Sequence, residues 1–375
     1  MPRFESDSTW NRRTFIRNTS LAATTIGLGL TKEGVLEAAE AEKSSEKDGI
    51  QFRTLGRTGL KVSEIAFGGT QVQDVALLEA AIDRGINLIH TSPGYGQGKS
   101  IQLSGQVMKT KRKKVVLALK ASPVDGIDEH LKALNTDHVD ILIPPMHSVK
   151  RINTPELPEA FEKLKKEGKI RFSGFSCHKA MAQVMQEATR LGFWDVMLVD
   201  YNLSNRASLN SALAKARKEQ NIGFMAMKVT RGMDKDQPEA LAAAFKKLLA
   251  NKNVDTLLIG MANFDDLKRN AAVSGKAMGF LDRRPLDRYA RAAEENTCAM
   301  CDACGICPKD VLVSDIFRCK AYYDRGEQEL AVRTYRSLPV YQRAGRCDDC
   351  GQCMTVCPKS LDIVREIREV HTRLS

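Results

Sequence analysis

Eight short runs rich in Val, Ile and Leu recur through the middle of this chain, with segments of helical length between them. The runs are Glu64–Thr70, Asn87–Ser92, Val115–Ala121, Val139–Pro144, Ile170–Ser176, Val196–Tyr201, Gly223–Val229 and Thr256–Met261. Near-continuous apolar runs of this length are the signature of parallel strands covered on both faces. Helical periodicity is clear at Asp74–Arg84, Pro155–Glu167, Lys179–Leu191, Arg206–Glu219 and Pro238–Ala250. Gly85, Gly168 and Gly192 follow three of these helices, where a left-handed residue is wanted. Ser122–His138 leaves room for only a short helix. Eight strand–helix units over about 220 residues predict a (β/α)₈ TIM barrel rather than an open doubly wound sheet. No Gly-x-Gly-x-x-Gly follows the first run, which argues against a Rossmann domain. Chemistry in such a barrel gathers at the C-terminal ends of the strands. That rule singles out His90, Tyr95, Lys120, His147, Ser176, Cys177, His178 and Lys228.

The cysteines mark a second region. There are ten, and nine lie between Cys298 and Cys357. Cys347, Cys350, Cys353 and Cys357-Pro358 match the bacterial ferredoxin run C-x₂-C-x₂-C-x₃-C-P. Cys298, Cys301, Cys304 and Cys307-Pro308 repeat it with one residue fewer before the last Cys. Three cysteines two residues apart wrap one face of a cubane, and the fourth turns away to the other cluster. The spacing therefore assigns Cys298, Cys301, Cys304 and Cys357 to one [4Fe–4S] cluster. Cys347, Cys350, Cys353 and Cys307 hold the other, with Cys319 as the substitute for Cys307. Disulfides, two Cys₄ zinc sites and redox Cys-x-x-Cys pairs are the competing readings, and each accounts less well for two stacked runs ending in Cys-Pro. Asp315–Tyr341 reads as helical, Ile363–Arg373 as a closing helix, and 283–296 as a linking helix.

The N-terminal residues read as an address. Arg12-Arg13 precedes Phe15, a short apolar stretch runs from Ser20 to Leu30, and Ala39-Glu40-Ala41 offers a cleavage site. The pair resembles a twin-arginine export signal, which implies the export machinery as a partner and a periplasmic destination. A route that carries folded proteins suits a metal centre assembled before export. The expected organisation is a signal over 1–41, a polar linker over 42–50, a barrel over 51–281, and a linking helix with the cluster domain over 282–375. The net charge of +11 permits anionic partners without specifying one. No nucleic-acid motif occurs and aromatic content is 6%, which speaks against nucleic-acid binding. No run reaches the roughly 20 apolar residues of a stable membrane span.

Three segments resemble the aldo/keto reductase family. Arg53-Thr-Leu-Gly-Arg-Thr-Gly-Leu-Lys-Val-Ser63 resembles the hairpin that closes that family's barrel, Gly85–Gly96 the segment bearing its catalytic Asp and Tyr, and Gly168–Ser176 its fifth strand. The cysteine tail is similar to the ferredoxin-like extension on one branch of these reductases. The resemblance implies an oxidoreductase acting on a small-molecule carbonyl or alcohol. It makes Tyr95 the proton donor and Lys120 its neighbouring cation, because a free Tyr titrates near 10 and needs such help near neutral pH. His90 stands where the family has Asp. Pro145 stands where it has His, and His147 follows two residues later. Ser176, Cys177, Gly260 and Asn270 fall on positions that line the family's NADP(H) site. Cys177, Leu198 and Met227 replace the Asn, Gln and stacking Tyr usual there. Two enzymatic readings follow: an ordinary NADP(H)-dependent reductase, or an exported one whose electrons come through the clusters from a redox partner protein or electron carrier. A third is an electron carrier whose barrel is a relic.

Overall fold

The protein is represented by a computed structural model that describes residues 49–124, 126–233, 237–287 and 297–375. The expected export signal, nearly all of the expected linker, and most of the expected linking helix (288–296) lie outside the described residues. Helix is present over 280–287.

The described chain opens with an antiparallel hairpin, β1 (Phe52–Thr54) and β2 (Lys61–Ser63). Eight parallel strands follow and close into a barrel: β3 (Ile65–Gly68), β4 (Leu88–Thr91), β5 (Val116–Leu119), β6 (Val139–Leu142), β7 (Ile170–Cys177), β8 (Val196–Asp200), β9 (Gly223–Met227) and β10 (Thr256–Gly260). Each pairs with its sequence neighbours and β10 pairs with β3, so no edge remains. All eight expected strands are present, most of them shorter than the apolar runs that announced them.

The hairpin plugs the N-terminal end of the barrel. Its turn needs glycine: Gly56 has φ +47°, and a Cβ there would lie 2.2 Å from the backbone nitrogen of Gly223. Arg57 locks the plug by donating to the Gly192 and Trp194 carbonyls, both at 2.9 Å.

Two apolar layers result. Ala66, Leu88, Ala118, Ile141, Leu198 and Met225 fill the barrel interior. A larger layer lies between strands and helices and continues without a break into the tail, where Ile316, Phe317, Tyr335, Ile367 and Leu374 belong to it. The tail and the barrel therefore share one core.

In the tail the expected helix over Asp315–Tyr341 is two helices, Val313–Tyr323 and Gln328–Arg336. Gly326, at φ +77°, breaks the run. The closing helix spans Ile363–Leu374 and buries Ile363, Ile367, Val370 and Leu374 along one face. Among the described residues of the tail there is no strand. No helix among the described residues is long and apolar enough to cross a membrane.

Candidate functional site

A cavity of about 450 Å³ opens at the C-terminal end of the barrel strands. His90, Tyr95, Lys120, His178, Lys228 and Gly260 line its floor and walls. Its roof is the tail: Tyr322, Arg325, Leu330 and Arg333 complete the lining. The roof is pinned at several points. Arg333 donates to the Gly94 carbonyl at 2.8 Å, Lys179 pairs with Asp315 at 2.8 Å, and the Ala180 amide donates to the Met300 carbonyl at 3.1 Å.

β4 ends by delivering His90, and the next loop carries Tyr95 back beside it, with ring centroids 5.7 Å apart. Burial, with Lys120 nearby, pulls His90 down to about 3, so its ring is neutral. Its Nε2 has no hydrogen-bond partner. Burial raises the Tyr95 phenol, and Tyr322 and Glu327 push it the same way, so the phenol stays protonated at every ordinary pH. Lys120 is lowered to about 8 by burial and by the Arg318 guanidinium of the tail. A protonated phenol, an ammonium and a neutral imidazole in one cavity can donate a proton to an oxygen and hold the charge left behind.

The other expected residues divide. His147 packs its ring 5.3 Å from His178 and accepts from the His178 amide at 3.3 Å. It supports the wall without lining the cavity. Cys177 is buried and already donates to the Lys179 carbonyl at 3.1 Å. Burial pushes its thiol up to about 12, which leaves it protonated. Ser176 is fully buried with an unpartnered Oγ. Gly260 lines the cavity, and buried Asn270 has an unpartnered Oδ1. Asn270, on a position expected from the family likeness to line a dinucleotide, offers a buried acceptor. The stacking position holds Met227, and the Tyr322 ring lies 4.3 Å from the neighbouring Lys228 ammonium.

Sequence reasoning singled out Lys228 without a role and missed the roof residues altogether. Lys228 follows β9 at φ +57° and stands 3.7 Å from Glu327. Arg231 and Asp200 form a buried pair that fixes the loop after β9.

The tail thiols lie in two places. Cys298, Cys301, Cys304 and Cys357 line one small, largely apolar cavity with Ser314 and Phe317. Cys307 lies near Cys347 and Cys353, whose thiols are raised first by burial and further by the neighbouring sulfurs. Cys319 is fully buried and does not line that cavity. Burial raises Cys298 to about 12 and Cys304 to about 11, so these thiols release protons only to a strong acceptor such as a metal. Among the described residues no three His, Cys, Asp or Glu side chains converge on a point where one metal ion would sit. Four thiols around a cubane bind four different irons and stand farther apart than four around one ion.

One helix ties the two places together. The first turns of Val313–Tyr323, with Ser314 and Phe317, line the thiol cavity, and its last turn places Tyr322 over the barrel cavity. The axial distance from Ser314 to Tyr322 is about 12 Å at the usual helical rise.

Comparison with known proteins places the barrel. The model of the aldo/keto reductase family matches residues 66–247. L-galactose dehydrogenase of Arabidopsis thaliana is 28% identical over 282 residues, covering 60% of this chain and 88% of the plant protein. An aldo-keto reductase of Bacillus subtilis is 27% identical over 214 residues, covering 49% of this chain and 63% of that protein. Among solved structures, an aldo-keto reductase from Klebsiella pneumoniae in complex with NADPH has the same fold, with a TM-score of 0.52, 23% identity, and coverage of 64% of this chain and 95% of that one. The barrel resembles the aldo/keto reductase family over residues 66–247, and the protein is an oxidoreductase of aldo/keto reductase type.

Proposed function

We propose that the protein is an exported iron–sulfur oxidoreductase that interconverts a carbonyl and an alcohol, with Tyr95 as proton donor. One observation carries the reading: Tyr95, Lys120 and His90 line a cavity roofed by the same tail that gathers the thiols. Cys298, Cys301, Cys304 and Cys357 would hold one [4Fe–4S] cluster. Cys307, Cys347, Cys350 and Cys353 would hold the other. When bound, such clusters supply one-electron transfer, and so a source of reducing equivalents that needs no soluble dinucleotide. The partner would be a redox protein or small electron carrier.

The chain's own residues account for the proton chemistry. Reducing a carbonyl to an alcohol takes two electrons, for which the clusters would be the route, and two protons, one at oxygen and one at carbon, the latter drawn from water reaching the open cavity. The Tyr95 hydroxyl donates the proton at oxygen, and the Lys120 ammonium stabilises the phenolate it leaves. In family members an Asp holds the lysine. Here neutral His90 stands in its place and offers its unpartnered Nε2 to the substrate oxygen.

A second reading has one observation of its own. The unpartnered Asn270 Oδ1, with an NADPH-bound protein of the same fold, favours an ordinary nicotinamide-dependent reductase. The holoprotein separates the two when it is assayed on a panel of carbonyl compounds, once with reduced methyl viologen and once with NADPH. Turnover with viologen alone supports the first reading. Turnover with NADPH alone, at ordinary rates, supports the second and removes the first. Export is tested separately, by locating the protein in cells when Arg12 and Arg13 are both changed to Lys. Retention in the cytoplasm is expected.

A further inference from the structure

We infer that the substrate carries a carboxylate, clamped by Lys228 from the barrel and by Arg325 and Arg333 from the tail; this deepens the reading of the cavity as the active site and rests on it.

The charge of the lining points there first. Lys120, Lys228, Arg325 and Arg333 line the cavity, and no Asp or Glu among the described residues does. The nearby carboxylate of Glu327 stands 3.7 Å from Lys228 and 3.6 Å from Arg325, so one anion is shared between two cations. Charge-assisted hydrogen bonds close to about 2.7–2.9 Å, so the pairing with Lys228 is loose. The two Glu327 oxygens are buried and accept no hydrogen bond. The charged side chains of the lining are thus all basic, and burial, with Arg325 beside it, lowers Lys228 to about 7, a shift that a bound anion would reverse. A buried ammonium so loosely paired is costly, and an anionic ligand is the group that relieves it.

Lys228 itself is built for a task. Its φ of +57° puts a long, non-glycine residue in the left-handed region, which Gly or Asn would enter with less strain. Strained backbone of this kind persists where the surrounding structure holds it, most often at ligand sites. Here the Tyr322 ring lies 4.3 Å from the ammonium and holds it at the cavity wall. Buried His178, in the same lining, has neither ring nitrogen satisfied. A neutral imidazole supplies one donor, which a carboxylate oxygen can use. Arg333 spends one N–H on the Gly94 carbonyl and keeps others for a ligand. Two of the three clamp residues come from the tail, so the roof sets specificity.

The probes are benzoylformate and its neutral methyl ester, titrated calorimetrically into the oxidised holoprotein at low salt. The acid should bind at least about tenfold more tightly than the ester, the size of a charge-assisted contact. Lys228→Met should cut acid affinity about tenfold and leave the ester within about twofold. Should that variant fail to fold, Arg325→Met reads the same contrast, and the acid–ester comparison in the unaltered protein needs no variant. Equal affinities, no binding of the acid at millimolar concentration, or equal losses for both probes overturn the clamp. So does NADPH displacing the acid and losing the same factor in Lys228→Met, because the cations then serve dinucleotide phosphates. Acid binding with the expected contrast but no turnover under any donor would leave the clamp standing and remove Tyr95 as proton donor. Turnover of the ester as readily as the acid would remove the clamp alone.

Discussion

The barrel and the tail keep their shapes by different means. The barrel closes eight strands on themselves and fills both apolar layers with buried side chains. The tail winds its cysteine-bearing loops through conformations their residues do not prefer. Met300, Asp302, Asp310, Asp349 and Ser360 have positive φ within about 60 residues, in or beside those loops, as many such residues as the whole described barrel holds. Positions of that kind cost of order 1–3 kcal/mol each and need something to hold them. Packing suffices for the barrel. In the tail eight thiols stand where ligation would supply the constraint. One shared core can thus join a region that is complete in itself to one whose loops would be fixed by a bound group.

Stripping the metal is the largest test of that contrast. Hydrogen exchange within Val313–Leu374 should quicken by at least about a hundredfold in apoprotein while the barrel strands stay protected. Uniform quickening throughout would mean that the two regions form one unit, and no change would mean that the tail needs no ligand. Next in size, Tyr95→Phe should lower turnover about 10²–10⁴-fold with the visible spectrum intact. An unaffected rate would turn the barrel into a relic carried by an electron-transfer tail.

A finer comparison lies inside the tail. Cys307→Ser should lose about half of the bound iron, and Cys319→Ser should lose none, as counted by elemental analysis. The reverse result would exchange their places. The smallest effect crosses between the regions. Lys120 supports the proton donor only as a cation, so turnover should fall as pH rises past about 8. Arg318→Met removes a tail charge that lowers that value, and the falling limb should move to higher pH. An unmoved limb would detach the tail from the barrel's electrostatics.

What could be read in advance follows from how each feature is encoded. The barrel was legible because strands covered on both faces spell continuous apolar runs. The helix Lys99–Lys111 was not, because its packing face includes small residues such as Ser104 and Gly105. A Cβ on Gly105 would lie 2.0 Å from the Ala133 carbonyl oxygen, so close approach replaces the usual apolar stripe. The helix Phe264–Ala271 was announced only by Asn263, whose side chain accepts from the Asp266 amide. In the site, Tyr95, Lys120 and His90 could be found from strand ends and family likeness. Tyr322, Arg325 and Arg333 could not. They look like ordinary residues of a surface helix until the tail's docking turns them toward the barrel. The break at Gly326 is what lets both tail helices reach it.

The covered mouth has a mechanical consequence. A lid made of a loop can swing open on its own hinges. Here the lintel is a helix whose far end is fastened among the thiols, so lifting it would disturb them. On the flank a second cavity, with Gly96, Gln97, Gly326 and Gln328 in its lining, shares Tyr95 and Arg333 with the first, so a side entry would leave the fastened helix in place.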